Sequence, residues 1–162
     1  MILEKDKTII RTAEERDVKQ ILDFIIELAE YEKLLHEVKV NEESLKKNLF
    51  GSRPYAEVLI AEYDGQPAGH AIFFHNFSTF VGKPGVYLED LYVRPQLRGK
   101  GIGKLLLLSL VKLAKQRDCG RVEWSVLNWN TPSIEFYKNL EASLLEEWQI
   151  FRLTADKFDG LN

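Results

Sequence analysis

The 162 residues carry 22 Lys and Arg against 25 Asp and Glu, a formal charge of -3, so no basic stripe marks the chain for nucleic acid. Apolar residues make up 45% and charged residues 29%, which excludes a chain too polar to collapse and fits one domain over residues 1–162. The opening MILEKDKTII is broken by Glu4, Lys5 and Lys7, so no apolar leader or membrane span is expected there and a cytoplasmic location is. Cys119 is the single cysteine and is read as a minor packing residue. His36, His70 and His75 lack metal-ligand spacing, so no metal is expected.

A first strand leads into Thr12 and Glu15, which have the spacing of a capping box. Val18, Ile21, Leu22, Ile25, Leu28 and Ala29 then recur at helical intervals, which predicts a helix over about 13–32. Asn41 is placed to cap a second, shorter helix that ends before Gly51. Residues 56–63 and 68–77 read as a hairpin about Asp64-Gly65, and the run 86–93 as a further strand stopped by Pro95. An apolar helix is expected over 103–117, a strand over 121–127, a helix over 132–140 with proline in its first turn, and a closing strand over 148–153. The order β-α-α-β-β-β-α-β-α-β implies an α+β or mixed α/β fold, its sheet mostly antiparallel with helices on the flanks.

Arg98-Gly99-Lys100-Gly101-Ile102-Gly103-Lys104 lies between a strand and an apolar helix. Unpaired N–H groups and the helix dipole favour a phosphate at such a junction, and glycines let the backbone approach it closely. A Walker loop requires four residues between its first glycine and Gly-Lys, then Ser or Thr. Here Gly99 leaves three and Leu105 follows Lys104, so magnesium-dependent phosphate chemistry is disfavoured. The dinucleotide pattern G-x-G-x-x-G is not completed from either Gly99 or Gly101. A connector without a ligand remains the alternative at this level.

Arg98, Gly101 and Gly103 meet the R/Q-x-x-G-x-G/A pattern of the coenzyme A loop, and the chain here resembles the GNAT acetyltransferases. The run Asn128 to Lys138 is similar to that family's N-x-x-[SA]-x-x-x-Y segment, with Asn130, Ser133 and Tyr137 in register. The resemblance implies acetyl-coenzyme A as cofactor. It would be held by the backbone of Leu91, Tyr92 and Val93, by Arg98, Gly99, Lys100, Gly101, Ile102, Gly103 and Lys104, and by Asn130, Ser133 and Tyr137. It also implies Tyr137 as the acid towards the departing sulfur, for which a phenol has the donor chemistry. A core aromatic anchor is the other reading of Tyr137.

Three further runs, 27–33, 87–90 and 128–130, look like the spermidine/spermine N-acetyltransferases and their thialysine-acetylating relatives, and matching blocks spread from Thr8 to Leu153. That resemblance implies a homodimer and a small amine as substrate. Tyr31, Glu32, Glu89 and Asp90 would line the amine channel, with Glu123, Trp124, Ser125 and Glu147 as weaker candidates. A free alkylamine, with a pKa of about 10.4, arrives protonated, so the reaction needs a base, and Glu89 is the expected one, directly or through water. Glu32 as a solvated helix end and Asp90 as a surface strand residue are the alternatives. Acetylation of protein amino groups, or a non-catalytic acyl-coenzyme A sensor, are the competing functions. Two departures from the resemblance stand out: Glu141 replaces the glycine that usually follows the Tyr-Lys segment, and no acidic residue lies near Thr79.

Overall fold

The computed structural model describes residues 2–160, which divide into two compact units, Met1–Ser125 and Val126–Asn162. In the first unit, β1 (Leu3–Lys5), β2 (Thr8–Thr12), β3 (Glu57–Tyr63), β4 (Gln66–Ser78), β5 (Lys83–Val93) and β6 (Val122–Trp124) form one sheet in sequence order. Every neighbouring pair is antiparallel except β5 and β6, which are parallel because α3 (Ile102–Gln116) crosses between them. This is the mixed sheet with flanking helices that the sequence predicts. The expected first strand is a short hairpin, β1 and β2, turned at Asp6 with φ of 52°.

Helix α1 (Val18–Tyr31) is preceded by a 3-10 turn over Glu15–Asp17, whose N-cap, Glu14, lies two residues beyond the predicted cap at Thr12. The Glu14 N–H donates to Asp17 Oδ2 at 2.7 Å, while Arg11 holds both oxygens of the same carboxylate at 2.7 and 2.8 Å. Glu14 thus takes the cap position expected of Thr12, and Asp17, fixed by Arg11, takes the reciprocal position expected of Glu15. Helix α2 (Glu42–Phe50) begins as predicted, with the Ser44 N–H donating to Asn41 Oδ1 at 2.9 Å.

Helices cover both faces of the sheet, which is why β3 reads Val58-Leu59-Ile60-Ala61 without a polar break. Val58, Ile60, Ile72 and Tyr92 pack with Val18, Ile21 and Phe24 of α1 and Leu45 of α2. By alternation Leu59, Ala61, Ala71 and Phe73 face the other side, against which α3 lies with Leu105, Leu106 and Leu110 buried. His70 sits wholly inside the α1 face, with ring centroids 5.2 Å from Phe24 and 6.5 Å from Tyr92, and neither ring nitrogen has a hydrogen-bond partner.

The second unit holds α4 (Thr131–Lys138), capped by Asn130 Oδ1, which accepts from the Ser133 N–H at 3.4 Å. Past α4 the Ala142 N–H donates to Tyr137 O and the Glu141 N–H to Lys138 O, and Glu141 takes φ of 61°. This is the left-handed helix stop that glycine normally supplies, filled here by glutamate. The strand expected over 148–153 does not form, and the sixth strand is only Val122–Trp124 rather than 121–127. A strand requires a ladder to satisfy its N–H and C=O groups. Among the described residues of its own unit the 148–153 segment has none, and Trp148, Ile150 and Phe151 stay exposed despite their β-favouring side chains.

Candidate active site

Two features of β5 set the geometry. The first is its outer edge: β6 pairs only Val86–Leu88, so among the described residues no strand lies beside Glu89–Val93 on that side. Along this notch the side chains of Leu91 and Val93 are half-buried, and that of Tyr92 is committed to the core, so only the backbone of Tyr92 is available to a ligand. The second feature is a bulge. Ile72 pairs with Asp90 and Phe73 with Leu88, leaving Glu89 with no residue opposite it. Regular alternation would place Tyr87 and Asp90 on opposite faces. The extra residue resets the phase, so Asp90 shares the face of Ile72 while Tyr87 shares that of Phe74, whose ring it meets at 5.2 Å.

Beyond β5 the chain turns through a short 3-10 segment into the glycine loop. Gly99 and Gly101 have φ of 75° and 80°, and nothing lies within 4 Å of where a Cβ would stand on either. Gly101 is also the N-cap of α3, and the Leu105 N–H is the first to reach back into the helix ladder at Gly101 O. The N–H groups of Ile102, Gly103 and Lys104 therefore have no acceptor in their own helix. The Ile102 side chain is buried and Lys104 is exposed, while Lys100 Nζ lies 5.2 Å from the Tyr63 ring centroid. Arg98 Nε donates to Val93 O at 3.0 Å, and its guanidinium stacks 4.5 Å from the Tyr31 ring, which ties the loop to the end of α1.

Glu32, at the end of α1, and Asp90 are partly withdrawn from water, and Glu89 is exposed. Burial raises the Glu32 carboxyl above the usual range. Burial, then the charges of Glu89 and Glu32, push Asp90 up to about 7. Every other carboxylate of this unit that is withdrawn from solvent has a basic partner among the described residues. Arg11 takes Asp17 and Glu62, Lys19 takes Asp23, Arg94 takes Glu27, Arg117 takes Glu57 and Arg121 takes Glu123. Glu32 and Asp90 have none.

Of the weaker candidates, Glu123 is neutralised by Arg121 at 2.7 Å and accepts from Asn76 Nδ2 at 3.0 Å, so its charge is not free for an amine. The Ser125 hydroxyl lies 2.8 Å from the Tyr87 hydroxyl, and Trp124 is half-buried at the end of β6. Asn130, Ser133, Tyr137 and Glu147 belong to the second unit. There α4 carries Ser133 and Tyr137 four residues apart on one face, with the Tyr137 ring 5.3 Å from Phe136. Sequence reasoning missed Arg98 as a link to Tyr31 and the bulge that re-aims Asp90. Neither has a local sequence signal, since both arise from contacts between distant segments.

The family model described as Acetyltransferase (GNAT) family matches residues 19–141. The chain belongs to the GNAT acetyltransferases. It is 38% identical over 159 residues to a pig thialysine N-epsilon-acetyltransferase, covering 91% of this chain and 93% of the relative. An Arabidopsis thaliana L-ornithine N5-acetyltransferase is 30% identical, with 94% of this chain and 87% of the relative aligned. Among solved structures, an integron cassette protein from V. cholerae superposes with a TM-score of 0.81 at 24% identity, over 97% of this chain and 98% of that one. The GNAT fold and an N-acetyltransferase activity follow for this chain. Among the described residues no helix is long and apolar enough to cross a membrane.

Proposed function

We propose that this GNAT enzyme transfers the acetyl group of acetyl-coenzyme A to a primary amine of a small cation, a diamine, polyamine or lysine analogue such as thialysine. The observation that carries the substrate class is the withdrawn carboxylate pair Glu32 and Asp90, joined by the exposed Glu89 and lacking any basic partner among the described residues. Uncompensated acids near a surface are costly unless a cation joins them, and an alkyl diammonium is such a cation. The relatives named for thialysine and for L-ornithine act on amino acids that end in an alkylamine, in keeping with this reading.

The loop fits the cofactor. Its pyrophosphate would lie against the amides of Gly99, Gly101, Ile102, Gly103 and Lys104, where two glycines leave the approach clear. The backbone of Leu91, Tyr92 and Val93 offers groups to the pantetheine arm along the edge that β6 leaves uncovered. By the family resemblance Asn130 and Ser133 would also contact it. Acetyl-coenzyme A supplies the activated thioester. Tyr31, Glu32 and Asp90 bind and orient the amine, with the backbone near Trp124 and Ser125 and the side chain of Glu147 as further contacts. Glu89 helps to remove the proton that the arriving ammonium carries. The Leu91 N–H polarises the reacting carbonyl, and Tyr137 delivers a proton to the departing sulfur. Attack is direct, with no covalent enzyme intermediate. The whole chain acts as one catalytic domain in a cytoplasmic homodimer.

The test is a panel of putrescine, spermidine, spermine, thialysine, lysine and ornithine with acetyl-coenzyme A, following thiol release and the acetylated product. Turnover of at least one free amine is expected. Acetylation of peptides alone would transfer the reading to protein amino groups, and coenzyme A binding without turnover of any acceptor would make the chain a sensor.

A further inference from the structure

Glu32, Glu89 and Asp90 differ in their surroundings, and the difference assigns them different work. Glu89 is the bulge residue, exposed and able to exchange protons with bulk water. Asp90 follows it on the α1 face, partly shielded, with no hydrogen bond and no cation among the described residues. The groups around it offer no counter-charge. On α1, Glu32 is itself an acid, Tyr31 is covered by Arg98, and Glu27 is held by Arg94 at 2.8 Å. On β4, His70 stands two residues from Ile72 and is kept neutral by burial. On β6, Glu123 is held by Arg121.

We infer that Asp90 is the group that takes the proton from the reacting ammonium, and that Glu89 passes this proton on to solvent. This rests on the amine-acetylation reading above. In the step an N–H bond of the ammonium breaks and an O–H bond forms on the Asp90 carboxylate. The electron pair left on nitrogen is the one that attacks the acetyl carbon. Transfer of the proton through Glu89 to water returns Asp90 to its carboxylate form for the next turnover. The geometry favours Asp90 over Glu89 as first acceptor because shielding strengthens a carboxylate as a base, while exposure suits the exit. The carboxyl of Asp90 pushed up to about 7 agrees, since a base works best when matched to the working pH. The bulge then has a chemical purpose: it leaves Glu89 unopposed and exposed to water directly beside Asp90, which it sets on the face of Ile72.

The experiment compares Asp90→Asn with the native enzyme on a diamine and on the same diamine fluorinated beside the reacting nitrogen, which is largely unprotonated at neutral pH. Asp90→Asn should lose about 100-fold or more in kcat on the ordinary diamine, the range for loss of a general base, and less than about 10-fold on the fluorinated one. Coenzyme A affinity by calorimetry should be unchanged, and Asp90→Glu should recover much of the rate on the ordinary diamine. Equal losses on both amines would overturn the assignment, leaving Asp90 as a mere holder of charge. Should Asp90→Asn fail to fold, Asp90→Glu against Asp90→Ser carries the same comparison. If the native enzyme turns over no free amine, the substrate reading falls with it, a result distinct from equal losses in a working enzyme.

Discussion

Replacing His70 with leucine tests whether the core beneath α1 excludes charge as fully as its geometry implies. The imidazole is wholly inaccessible, flanked by Phe24 and Tyr92, and burial holds its pKa down to about 3 against an ordinary 6.5. Between those two values the unfolded chain binds a proton at this residue that the folded chain refuses. Stability therefore falls as pH drops through 6.5 and goes on falling until about 3. At about pH 5 the drop below the unfolded value is about 1.5 pH units, and at about 1.36 kcal/mol per unit the protein loses about 2 kcal/mol through His70 alone. Urea unfolding of the native protein and of His70→Leu at about pH 7.5 and 5 isolates this term, because the other titrating groups are common to both. The native protein should lose about 2 kcal/mol more than the variant between the two conditions. At the higher pH His70→Leu should be no less stable, since it removes two buried nitrogens that have no partner in exchange for an apolar group of similar size. An equal pH dependence in the two proteins would refute the reasoning: the imidazole would then be able to charge inside the fold.

Gly101→Val forces a β-branched residue to φ of 80° at the cap of α3. It should cost about 1–2 kcal/mol of stability, read by thermal unfolding, and at least about tenfold in coenzyme A affinity, read by calorimetry. Native affinity would contradict the cradle. Glu141→Gly replaces a left-handed glutamate at the helix stop of α4 and should raise stability by up to about 1 kcal/mol, visible as a higher melting temperature. Tyr137→Phe should lose about 100-fold or more in kcat while keeping coenzyme A affinity, and an unchanged rate would remove the phenol from the chemistry.

The sequence carried the regular elements well because their signals are local. Asn41 caps α2 as its neighbours suggest, Asp64-Gly65 turns the hairpin, and the apolar run after Gly101 is the buried face of α3. It misled where long-range contacts decide. The start of α1 moved because Arg11, six residues earlier on β2 and itself held by Glu62 of β3, had already fixed Asp17. The 148–153 run has the composition of a strand, but composition cannot provide the ladder that makes one. At the candidate site the glycine loop and the acids were legible as residue types, yet Glu89 and Asp90 read as alternating neighbours. Only the pairing of β4 with β5 shows that one is exposed in a bulge and the other turned onto the α1 face. Glu123 read as an available acid until Arg121 and Asn76 appeared beside it.

The bulge at Glu89 also constrains how this enzyme can change. Deleting Glu89 would regularise the pairing of β4 with β5 while leaving Asp90 opposite Ile72 and Tyr92 within the aromatic packing around Phe24, at the loss of the exposed acid. On the proposed function, substitutions at Glu89 and Asp90 would retune the choice of amine one side chain at a time. An added residue between Asp90 and Tyr92 would instead turn one of them off the α1 face, away from Ile72 or from the aromatic packing around Phe24, so a change in length is harmless to the core at the bulge and harmful just beyond it.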